Sequence, residues 1–74
     1  MSDTTTIYMP LLNEGTATWR PVTAERLGPD TFRVLGPKPA DEEWEFGPGS
    51  VVRGAPRTFD DGKEYVVAVG RSAN

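Results

Sequence analysis

Apolar side chains along this chain recur at every second position, in short runs that end at a glycine or a proline. Ile7, Met9 and Leu11 alternate with their neighbours, the period of two that predicts a half-buried strand over 6–12. Pro10 cannot donate to a ladder, so this strand is expected at an edge or with a bulge. Asn13-Glu-Gly15 reads as a turn. Over 16–27 the parity is mixed: Ala17 and Trp19 fall on one side, Val22 and Ala24 on the other. A bulge at Pro21 that re-aims the strand is the reading this suggests. Gly28-Pro-Asp30 then marks a hairpin loop, with Thr31-Phe-Arg-Val-Leu35 as the return strand.

Two prolines in Gly36-Pro-Lys-Pro-Ala40 predict a stiff, extended connector. Asp41-Glu-Glu43 follows as an exposed acidic patch. Trp44 and Phe46 alternate with Glu43 and Glu45, as in a short strand with one face inward. Gly47-Pro-Gly49 forms a corner. A strand from Ser50 is expected to run to Phe59, broken near Gly54 and Pro56. Asp60-Asp-Gly62 is a hairpin signal, and Tyr65-Val-Val-Ala-Val69 reads as a central strand, apolar on both faces.

Five or six short strands with glycine or proline at each corner, and no sustained helical period, predict an all-β fold. The best fit is a small SH3-like barrel spanning 6–70, with an OB-like barrel second. Residues 1–5 are expected to be disordered and 71–74 a flexible tail.

At 74 residues the chain is near the lower limit for a self-sufficient core, so few large apolar groups can be spared for a deep cavity. It has no cysteine and no histidine, which removes thiolate sites, the commonest general base and the commonest metal ligand. A net charge of −3 counts against nucleic acid and anionic membranes as main partners. The polar N-terminal stretch lacks the layout of a signal peptide, which predicts a cytoplasmic address.

Among residues that could act, Trp19, Arg20 and Trp44 stand first. Both tryptophans could simply close the barrel, with Arg20 lying over a ring. Alternatively Trp19 and Trp44, with Tyr8 or Tyr65, could line a shallow groove of the kind that takes extended or proline-rich peptides. If only one serves function, Trp19 is the better choice and Trp44 belongs to the fold. The acids Asp41, Glu42, Glu43 and Glu45, with Asp60 and Asp61 as neighbours in space, match no metal loop and read as a solvated face or a contact for a basic partner. Arg20, Arg33, Arg53 and Arg57 could form a basic stripe for single-stranded nucleic acid, although the interleaved acids favour cross-strand pairing. No catalytic group is identified: Ser50, the threonines and Lys63 have no histidine to activate them, and Gly47-Pro-Gly49 is not a phosphate loop.

Leu11-Leu-Asn-Glu-Gly15, Thr18-Trp-Arg-Pro-Val22 with Ala24-Glu25, Asp41-Glu-Glu-Trp-Glu-Phe46, Pro48-Gly-Ser-Val-Val-Arg53 and Arg57-Thr-Phe59 with Asp61-Gly62 together resemble a family of small uncharacterised bacterial proteins. That likeness covers nearly the whole chain and implies a free-standing domain, without implying a mechanism. The Pro48–Val52 segment is also similar to the corner of SH3-like barrels where glycine precedes β-branched residues. The functional expectation is a non-enzymatic protein-interaction module without cofactor or metal. Its contacts would be Trp19, Arg20, Trp44, Glu42 and Glu43. A nucleic-acid-binding barrel and a structural homo-oligomer are the alternatives.

Overall fold

The computed structural model describes residues 3–72, which are built from strands and loops with no helix. β1 (Thr4–Pro10), β2 (Trp19–Arg26), β3 (Thr31–Val34), β4 (Val51–Thr58) and β5 (Glu64–Arg71) follow one another in chain order around a closed barrel. Successive strands pair antiparallel, and β5 closes onto β1 in parallel, with Val67 opposite Tyr8. This is the all-β barrel that the alternation and corner residues predict, with five strands.

Alternation places the core. Ile7 and Met9 of β1, Val22 and Ala24 of β2, Phe32 and Val34 of β3, Val52 of β4 and Ala68 of β5 meet inside. Each large side chain among them contributes about 1.5–3 kcal/mol of hydrophobic stabilisation. Trp44 and Phe46 complete the cluster from the long connection between β3 and β4. Only one isolated bridge, Leu11 to Trp44, stands where a short strand was expected. Hydrogen bonds from Leu12 N to Glu43 O and from Glu45 N to Pro10 O nevertheless hold this segment extended beside the end of β1. The predicted inward alternation of Trp44 and Phe46 therefore holds without a formal strand.

β3 is short, and this explains where prolines are tolerated. Its ladders reach only Ala24–Arg26 of β2 and Val51–Arg53 of β4. Pro21 and Pro56 lie beyond those ladders, each paired on one side only, with Tyr8 and Val66 respectively.

Three expectations need correction. The register of β1 with β2 is continuous through Pro21, so no bulge lies there. The break expected near Gly54 and Pro56 is a register shift between Arg53 and Gly54, and β4 otherwise runs on as one strand through Pro56 to Thr58. Gly54 lies so close beneath its neighbours that an added Cβ would come within 2.6 Å of Val66 Cγ1 and 2.8 Å of Phe32 Cε1. Ordered structure also extends further than predicted at both ends, since Thr4 and Thr5 belong to β1 and Arg71 to β5. Asp3 accepts from Arg26 N and Ser72 N donates to Val51 O, while residues 1, 2, 73 and 74 of the expected disordered N-terminus and tail lie outside the described residues.

Candidate functional site: an aromatic groove on the outer barrel face

Side chains that alternate with the core residues point outward, and on one face they are aromatic. Tyr8 lies between Ile7 and Met9 on β1, Trp19 opens β2, Tyr65 belongs to β5, and Phe59 follows β4. The four rings pack edge and face. Centroids are 5.6 Å apart for Tyr8–Phe59, 4.8 Å for Tyr8–Tyr65, 5.2 Å for Trp19–Phe59 and 5.2 Å for Phe59–Tyr65. Such pairs are worth about 0.5–1.5 kcal/mol each beyond the area they bury. Val67 is buried although it stands outside the main core cluster, because its register sets it beside Tyr8 beneath this outer layer.

An open groove of about 400 Å³ runs across this face, lined by Tyr8, Trp19, Arg57, Thr58, Phe59 and the hairpin carboxylates Asp60 and Asp61. The Arg57 guanidinium carbon sits 4.6 Å from the Trp19 ring centroid, a cation–π contact. At the hairpin end, Asp61 accepts at both carboxylate oxygens: Lys63 N donates to Oδ1 at 2.9 Å and the Tyr65 hydroxyl to Oδ2 at 2.6 Å. The Tyr65 bond, helped by the Lys63 amide, holds the Asp61 carboxyl below its ordinary range. The same bond raises the Tyr65 phenol, because loss of its proton would set two anions together.

The expected site residues separate into two groups. Trp19 lines the groove with Tyr8, Tyr65 packs against Tyr8 and Phe59 without lining it, and Trp44 is only 7% exposed and belongs to the core. Arg20 does not lie over a ring; its Nε donates to Glu42 Oε2, and Arg57 takes the cation–π position instead. Glu42 is not part of a solvated face. Its side chain is 14% exposed, Trp44 Nε1 donates to its Oε1 at 2.9 Å, and Lys38 Nζ donates to its carbonyl at 2.7 Å. The Trp44 and Arg20 bonds hold the Glu42 carboxyl below its ordinary range despite partial desolvation. Asp41, Glu43 and Glu45 remain exposed.

The candidate basic stripe is dispersed. Arg33 Nη1 reaches Glu25 Oε1 across the β2–β3 ladder at 2.9 Å, Arg20 is bound to Glu42, Arg57 lies on Trp19, and Arg53 is exposed on β4. The acids divide in the same way, and among the described residues no three gather closely enough to hold a metal ion.

Phe59 and Arg57 are the groove residues that sequence reasoning assigned elsewhere. The signal for the groove was the parity mismatch itself. Trp19 falls out of step with Val22 and Ala24 because it faces outward, as Tyr8 does between Ile7 and Met9. Comparison with protein-family models, curated proteins and solved structures finds no match to the chain.

Proposed function

We propose that the chain is a non-enzymatic, cytoplasmic protein-interaction module that holds an extended segment of a partner protein in the Tyr8–Trp19–Phe59 groove. The supporting observation is an outward aromatic layer on a chain of 74 residues that can spare few large rings from its core. Packed rings with a polar rim are the arrangement that desolvates and anchors a peptide. Among the described residues no helix is long and apolar enough to cross a membrane.

Site-directed cross-linking tests this reading. A photoreactive phenylalanine derivative placed at Tyr8 should link to the partner in the native cell. The same group at Arg33, which is exposed on β3 beside Glu25, should not. Equal linkage from both positions, or linkage from Arg33 alone, would overturn the assignment of this face. A cross-link between two copies of the chain would replace the partner protein with a homo-oligomer.

A further inference from the structure

The ladders fix which way each backbone N–H turns, and they leave one strand edge open. In an antiparallel pair, residues that exchange hydrogen bonds alternate with residues whose N–H and C=O turn to the opposite side. Phe59 N donates to Lys63 O at 3.1 Å, so Ala55 and Arg57 are the β4 residues that bond to β5 in the same register. Gly54, Pro56 and Thr58 turn the other way. Gly54 N does so visibly, donating to Asp30 O at 2.8 Å in the hairpin that precedes β3. The ladder with β3 stops at Arg53. Beyond Gly54, among the described residues, β4 is therefore paired with β5 alone, and Pro56 and Thr58 stand exposed on its open side.

The other two strand prolines have a different setting. Bonds from Leu11 N to Thr18 O and from Arg26 N to Asp3 O show that Pro10 and Pro21 also turn away from the β1–β2 ladder. The chain itself occupies both of those sides. Glu45 N donates to Pro10 O, and the connection after β3 holds the neighbours of Pro21, with Leu35 N donating to Thr23 O and Arg20 Nε to Glu42. Pro56 has no such cover.

A half-paired strand is a template for a second strand, above all from another copy of the same chain. Two β4 edges related by a two-fold axis run antiparallel and can set Thr58 of one copy opposite position 56 of the other. With an N–H at position 56 each such pair exchanges two hydrogen bonds. With proline it keeps one, and the ring stands where the other would form. We infer that Pro56 blocks the free edge of β4 from pairing with a second copy of this chain. Arg57 and Thr58 also line the aromatic groove, so the same block keeps that face from being buried between copies. The inference stands on the ladders and is independent of what the groove binds.

Sedimentation of the full chain over a range of concentrations tests it with Pro56→Thr, which restores the N–H without adding an apolar side chain. The variant should self-associate about tenfold or more tightly than the wild type, the worth of two regained backbone bonds. In the associated form the amides at positions 56 and 58 should gain protection from hydrogen exchange. The Trp44 indole signal reports whether the chain is folded, and Pro56→Ala takes the place of Pro56→Thr if the latter does not fold. Association no tighter than that of the wild type would overturn the inference. Tighter association that leaves both amides unprotected would overturn it too, because the copies would then meet through another surface. Failure of both variants to fold would assign Pro56 to the fold itself and overturn its role at the edge. None of these outcomes bears on the groove, which the cross-link at Tyr8 judges separately.

Discussion

Glu42 stands in an acidic run whose composition suggests a solvated surface, yet its carboxylate links Arg20 of β2 to the Trp44 indole, and its carbonyl receives Lys38. A tryptophan N–H in a barrel core needs an acceptor, and a carboxylate two residues away supplies one without a further element. Gly54 shows the opposite economy, with function carried by a missing side chain. Its position beneath Val66 and Phe32 leaves no room for a methyl group. Gly54→Ala should therefore destabilise the fold by about 1–3 kcal/mol through overpacking, read as a lower urea midpoint with an unchanged slope. An unchanged midpoint would show that the β4 irregularity absorbs the methyl group.

At the scale of elements, the β4–β5 hairpin joins fold to groove. Asp61 accepts from Lys63 N and from the Tyr65 hydroxyl, so the turn is tied to a ring that packs on Tyr8 and Phe59 of the groove. Glu42 and Asp61 are both held below their ordinary values in the folded chain. Their stabilisation is thus complete above about pH 4–5 and is lost as pH falls through the depressed values. Tyr65 is raised, so its contribution is complete below about pH 10 and is lost as pH rises through the raised value. Asp61→Asn should lower the Tyr65 titration midpoint, followed by phenolate absorbance, because it removes the neighbouring anion. A midpoint that does not move would show that the Asp61 bond is not what holds the phenol neutral.

How much of this was legible follows from the same elements. Strand positions, the inward faces of Ile7, Met9, Val22 and Ala24, and the Asp60-Asp-Gly62 hairpin are local properties, and periodicity with turn chemistry reveals them. The mixed parity of the Trp19 segment was visible, but a bulge and an outward aromatic face give the same pattern in one strand. Only the register with β1 and the rings of Phe59 and Tyr65, some forty residues on, separate the two. The irregularity near Gly54 was signalled by a glycine within the strand, but its cause, a close approach of Val66 and Phe32 from other strands, was not.

For the whole molecule, the consequence is a division between its two tryptophans. Trp44 fills the core and is secured by Glu42, while Trp19 lies under Arg57 on the outer groove. The charge pairs Arg20–Glu42 and Arg33–Glu25 lie outside the groove lining, which leaves Asp60 and Arg57 to meet whatever binds. The most direct test follows the two indole N–H signals by NMR while the partner captured at Tyr8 is added. The Trp19 signal should shift with saturable dependence on ligand, together with the amides of Arg57–Asp61, while the Trp44 signal stays in place. Movement of Trp44 or of the Arg33 and Arg53 amides, with Trp19 unmoved, would contradict the account.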